Sequence, residues 1–347
     1  MATKADTTPR LPDDVVIKII KTLGEVRDRH AHDVDMMTGE IRKTSQRAIG
    51  ACKRVCHAWR DICTPIQWTA VAYSLKATIT SVDFSGGSEA PLKKRNNKRR
   101  TLGKLAMYFR DHPDLAKHVT VLALESFGPA DPEPFWYTWI EAPDLAESLQ
   151  YLPNLKDLHM VNMIMTLRDP SEFQQLAFPH LEQLTLRVWE RGRTVAPLLG
   201  PSHLMYPLFL FPAIDQVMIF RHNWVSPDSP QPGIEHMRGE LAKCKVRSFW
   251  FETGDLLLHK HLQNVSRIFN TGMMHTLDLS HVSAYPLPVH IAPILKQVGP
   301  TLKKFKIGFM AWHLLGEWCD HLAPGLLTDC GIFHSHKHYR REVCLAV

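Results

Sequence analysis

Residues 155–160 read LKDLHM and residues 181–186 read LEQLTL. In both, apolar side chains hold the first, fourth and sixth places while polar ones fill the gaps. The last three places alternate with the period of a strand that buries one face. Working outward, the spacing recurs at Val119/Leu122/Leu124 upstream. Downstream it recurs at Ile214/Val217/Ile219, Val246/Phe249/Phe251, Met274/Leu277/Leu279 and Leu302/Phe305/Ile307. The first positions are 36, 26, 33, 32, 28 and 28 residues apart. A step near thirty is too long for a hairpin and suits a strand followed by a helix.

Helical patterns occupy the intervals. Leu102, Leu105, Ala106 and Phe109 precede the first strand, Leu145, Leu149 and Leu152 the second, and Ile291, Ile294, Leu295 and Val298 the last. Another, from Leu257 to Phe269, precedes the sixth, and Pro153, Pro179, Pro212, Gly272 and Pro300 stop the chain before strands. Each unit has an apolar strand face and an apolar helix face that it cannot bury alone. Stacking places the strands in one parallel sheet with the helices behind it. A doubly wound sheet would show more continuously apolar strands and a Gly-rich first turn, and neither occurs.

The L-x-x-L-x-L strands resemble leucine-rich repeats in a long, irregular form over most of residues 102–310. That resemblance implies an α/β solenoid with parallel strands on the concave side and helices outside. The alternate residues then face the concave side, among them Arg187 on the third strand, Phe220 on the fourth and Trp250 on the fifth. Trp189, Arg221 and Trp224 lie just beyond strand ends. Tryptophan and arginine dominate binding hot spots, so Arg187, Trp189, Arg221, Trp224 and Trp250 are the candidates for holding a target. The structural alternative is that the tryptophans cap neighbouring repeats.

Ahead of the repeats, residues 11–23 read LPDDVVIKIIKTL and residues 48–68 read AIGACKRVCHAWRDICTPIQW. Pro12 suits a first helical position, Asp13 and Asp14 suit a helix amino terminus, and Val15, Val16, Ile19, Ile20 and Leu23 form an apolar stripe. A second helix is predicted through Ile49, Cys52, Val55, Cys56 and Trp59, closing at Pro65. Two short helices cannot bury so much apolar surface between themselves, which leaves some for a partner. Leu11-Pro12, the stripe, the Val55-Cys56-x-x-Trp59-Arg60 run and the Pro65-x-x-Trp68 ending resemble an F-box. The departures are the long link over residues 24–44 and Arg54 where an aliphatic residue is usual. The resemblance implies a helical module that binds the SKP-type adaptor of SCF-type cullin–RING ubiquitin ligases. The contacts would come from Leu11, Pro12, Val15, Ile19, Ile20, Leu23, Val55 and Trp59. The predicted organisation is an F-box over residues 9–70 and a linker with a basic run over 71–101, with VAYSL (71–75), apolar and β-prone, as a short joining strand. A repeat domain follows over 102–318, then an irregular tail over 319–347.

Composition narrows the function. The chain has 347 residues, 45% hydrophobic content, 24 prolines and a net charge of +6. Lys93, Lys94, Arg95, Lys98, Arg99 and Arg100 account for that excess. Without a general basic face, no nucleic-acid partner is expected; the run itself reads as a nuclear import signal or as a solvated loop. There is no apolar run long enough to span a membrane, and MATKADTTPR carries no secretory signal. Seven cysteines point to a reducing compartment, cytoplasmic or nuclear. Cys319, His321, Cys330, His334, His336, His338 and Cys344 are zinc-capable types without the spacing of a firm site. Phosphate-loop, dinucleotide, nucleophile-elbow and zinc-protease motifs are missing from the sequence. The reading is a non-catalytic substrate receptor of an SCF-type ligase, needing no cofactor. The alternatives are a repeat scaffold unconnected with ubiquitin and a metal-dependent enzyme built on the carboxy-terminal Cys/His residues.

Overall fold

A computed structural model describes residues 12, 14–22, 48–76, 79–80, 101–127, 136–166, 180–188, 206–221, 244–253, 273–282, 295, 298, 301–308, 329–334 and 341–346. Its centre is a ten-stranded sheet whose first eight strands are parallel. In spatial order these are β1 (Ala70–Lys76), β3 (Val121–Phe127), β5 (Asp157–Val161) and β7 (Leu181–Val188). They continue with β8 (Ala213–Arg221), β9 (Lys245–Thr253), β10 (Thr276–Val282) and β11 (Lys304–Gly308). Seven of the eight are the patterned strands, in sequence order.

Register explains why they stack this way. Leu122, Leu158, Leu184, Val217, Phe249, Leu277 and Phe305 stand opposite one another in successive strands, and all seven are buried. At ~1.5–3 kcal/mol each, that single row contributes on the order of 10–20 kcal/mol before chain entropy is counted. A one-residue slip would turn every member to the other face, so the register is strongly fixed. Behind the sheet lie α4 (Leu102–Asp111), the short α5 (Pro113–Ala116) and α6 (Ala142–Leu149). Leu102, Leu105, Phe109, Leu145, Leu149 and the following Leu152 join the same core, as do Leu295 and Val298. Thr101 caps α4, its hydroxyl accepting from Lys104 N at 3.3 Å.

Four features depart from the sequence reading. The short strand expected at VAYSL, placed in the linker, is β1 over residues 70–76, and it belongs to the main sheet, in register with β3 from Ala70↔Val121 onward. The parallel sheet therefore starts directly after the amino-terminal helices. A second sheet, unforeseen, joins β2 (Ile79–Thr80), β4 (Trp136–Glu141) and β6 (Met163–Thr166). Asn162, with φ of 53°, makes the left-handed turn that leads from β5 into β6, a conformation asparagine tolerates better than most residues. The tail read as irregular contains β12 (Asp329–His334) and β13 (Arg341–Ala346); β13 lies antiparallel against β11 and so pairs its free edge.

The fourth departure is in the amino-terminal helices. Residues 14–22 are helical (α1), and Pro12, predicted as a first helical residue, instead precedes them, its carbonyl accepting from Val15 N and Val16 N. The predicted second helix is two. Residues 48–52 form α2, the chain turns over residues 53–55, Cys56 is extended, and α3 (His57–Trp68) runs on through Pro65. Lys53 Nζ donates to Gln67 Oε1 at 2.8 Å across the turn. These helices enclose a core of their own, made by Val16, Ile20, Ile49 and Cys63 with Cys52, Trp59, Ile62 and Ile66 around it. Only Thr69 separates α3 from β1, and Trp68 packs on the main core with its ring stacked on Tyr108 at 5.7 Å. The two cores are distinct and closely joined.

Candidate functional site

Two surfaces carry the predicted site residues. The first lies on the amino-terminal helices. In α1, Val16 and Ile20 point into the small core while Val15 and Ile19 point away from it, 37% and 43% exposed. One helix thus has apolar residues on both flanks, and the core it builds uses only one of them. Val55 is raised on the turn after α2 and is 60% exposed. Pro12 is exposed as well. These exposed aliphatic side chains, left outside a closed core, are apolar area that a partner would bury.

Ile20 does not belong to that surface. It is fully buried, so its predicted contact with a partner is corrected to a core role. Trp59 is half-buried against the same core. Leu11 and Leu23 lie outside the described residues. Cys63 is sealed in the small core beside Cys52, and burial first, then the neighbouring Cys52, pushes its thiol above the ordinary range. Packing accounts for it.

The second surface is the sheet face opposite the main core. Register places Asp157, Gln183, Gln216, Ser248, Thr276 and Lys304 in one row across it. His159, Thr185, Met218, Trp250, Asp278 and Lys306 form the next. This face is less open than the alternation alone suggests, since His159, Thr185 and Asp278 are buried within it. Arg187 and Trp250 are brought together by Phe220. The Arg187 guanidinium sits 4.9 Å from the centre of the Phe220 ring, and that ring is 4.3 Å from Trp250 at a 53° tilt. All three are half-buried, a state that suits both cation–π attraction and contact with a partner. Toward β11, Lys306 Nζ reaches Asp278 Oδ2 at 3.0 Å while Lys304 is exposed. For Arg221 only the backbone is described, at the end of β8, and Trp189 and Trp224 lie outside the described residues.

Phe220 was the member that residue-type reasoning missed. Its signal was register, because Arg187 and Phe220 are directly opposite in the parallel pair. Among the described residues no group of three or more His, Cys, Asp or Glu side chains is placed to hold a metal ion. Cys330, His334 and Cys344 fall on β12 and β13, where only the backbone is described, and the other zinc-capable tail residues lie outside the described set. Among the described residues no helix is long and apolar enough to cross a membrane.

No protein-family model matches the chain, and no curated protein matches it.

Proposed function

We propose that this chain is the substrate-binding subunit of an SCF-type cullin–RING ubiquitin ligase, with an F-box amino-terminal to an irregular leucine-rich-repeat domain. The observation that carries the reading is the apolar surface of Val15, Ile19 and Val55, left outside a helical core that is already closed. Such side chains gain ~1.5–3 kcal/mol each when a partner covers them fully, and the F-box-like sequence names an SKP-type adaptor as that partner. The sheet face bearing Arg187, Phe220 and Trp250 then holds the target protein. The short path from α3 through Thr69 into β1 supports a fixed geometry between the two surfaces. In this reading the chain performs no bond chemistry. It supplies proximity and orientation to a reaction carried out by another subunit.

Co-purification with an SKP-type adaptor tests the proposal. Val55→Asp and Ile19→Asp, both at exposed positions, abolish the complex while leaving the melting temperature within about 2 °C of the parent, since surface changes usually cost under ~0.5 kcal/mol. A full-length chain that folds and fails to bind the adaptor overturns the ligase reading and favours the scaffold without ubiquitin.

A further inference from the structure

The sheet face carries more information than a general capacity to hold a protein. Its aromatic pair, Phe220 and Trp250, lies on β8 and β9, and the Arg187 guanidinium sits over the Phe220 ring. Two strands farther along, β11 presents Lys304 and Lys306. Lys306 is 3.0 Å from Asp278 on the strand between, and that pair is close to neutral as a unit. Lys304 is exposed and leaves this end of the patch cationic. Trp250 and Lys306 share a register row through Asp278, with Lys304 two residues before Lys306. Strands are ~4.8 Å apart and residues rise ~3.3 Å, so Lys304 lies roughly 12 Å diagonally from Trp250, about three to four residues of extended chain.

From this juxtaposition we infer that the sheet face recognises an extended acidic segment of a partner protein, with an aromatic side chain seated on Phe220 and Trp250 and a carboxylate three or four residues away at Lys304. This deepens the target-binding half of the function proposed above and does not depend on the adaptor. Aromatic contact supplies most of the affinity, because a ring covered on a half-buried pair loses little mobility. Charge complementarity supplies selectivity, since a lysine or arginine in place of the carboxylate would face Lys304 at close range. The pairing of Asp278 with Lys306 keeps the intervening carboxylate from repelling the acidic segment.

The test uses the full chain and fluorescein-labelled ten-residue synthetic peptide pools, read by anisotropy. The first pool carries one Phe or Trp with Glu three and four residues from it. A second replaces Glu with Lys, a third replaces the aromatic residue with Ala, and a single-stranded oligonucleotide is the fourth probe. The first pool is expected to bind at least tenfold more tightly than the other three. Lys304→Glu is expected to erase that preference or turn it toward the lysine pool, and Trp250→Ala to erase the preference for the aromatic residue. Equal binding of the peptide pools, a preference untouched by Lys304→Glu, or oligonucleotide bound ahead of the acidic pool overturns the inference. Lys304 is exposed, so its charge reversal remains decisive if Trp250→Ala fails to fold. Adaptor co-purification on the parent chain separates the two proposals: an intact adaptor complex on a parent chain that shows no peptide selectivity refutes this inference alone.

Discussion

Ile20→Ala tests whether the amino-terminal helices are held by a core of their own. Ile20 is fully buried among Val16, Ile49 and Cys63, the four sealed side chains of that core. At ~1.5–3 kcal/mol per side chain, the four contribute about 6–12 kcal/mol before entropy. Trimming a buried isoleucine to alanine costs ~2–5 kcal/mol, so this one change removes a large share of what closes the unit. The main core of the sheet contains none of these residues and loses nothing directly. Hydrogen exchange read by mass spectrometry separates the two. Amides of residues 48–62 are predicted to exchange about 30-fold to several-thousandfold faster, the factor set by ~1.4 kcal/mol per decade. Those of β7, β8 and β9 keep the parent's protection. Equal acceleration across the sheet would mean a single cooperative core, and no acceleration anywhere would mean that Ile20 seals nothing; either result refutes the two-core reasoning.

Two further outcomes follow from local contacts. Thr101→Ala removes the hydroxyl that caps α4 through Lys104 N and is expected to cost ~1 kcal/mol, a fall of roughly 2–4 °C in thermal unfolding, with Thr101→Ser restoring most of it. Cys244 is buried, and burial pushes its thiol from 9.0 up to about 12. The folded chain therefore keeps a proton that the unfolded chain releases above pH 9, so stability falls as pH rises from 9 toward 12. The slope from this group is ~1.4 kcal/mol per pH unit and the total about 4 kcal/mol. Denaturant unfolding at pH 8, 9 and 10 should show a steeper decline in the parent than in Cys244→Ala.

What could be read in advance follows from how each element holds its place. The seven patterned strands were legible because a buried row such as Leu158, Leu184 and Val217 imposes a period of two that polar neighbours make visible. β1 was legible as a strand from the β-prone VAYSL but not as a member of the sheet, since Val71 and Tyr73 stand where the next strand carries Leu122 and Leu124, and its place at the sheet edge comes from pairing with β3. The small sheet was hidden because the strands WYTWIE and MIMT carry no polar alternation. The carboxy-terminal hairpin was mistaken for an irregular tail because histidine-rich composition suggested fraying, whereas the edge of β11 supplies a partner strand.

The site residues divide along the same lines. Helical spacing placed Val15, Ile19 and Ile20 in one stripe, but an apolar stripe does not say which of its flanks the chain will use itself. Val16 and Ile20 went inward because Ile49 and Cys63 meet them there, and Val15 and Ile19 stayed out. The break before α3 was not visible because Lys53, Arg54 and Val55 are all compatible with helix. On the sheet, alternation placed Arg187, Phe220 and Trp250 on one face, and only the register showed Phe220 directly opposite Arg187, with its ring beside Trp250.

The most direct measurement of the central claim is a hydrogen-exchange footprint of the full chain with and without a purified SKP-type adaptor. New protection is expected at residues 14–22 and 48–60 alone, with the strands from β5 to β11 unchanged. No complex, or a complex whose protection falls on the sheet face and spares those helices, would contradict that claim.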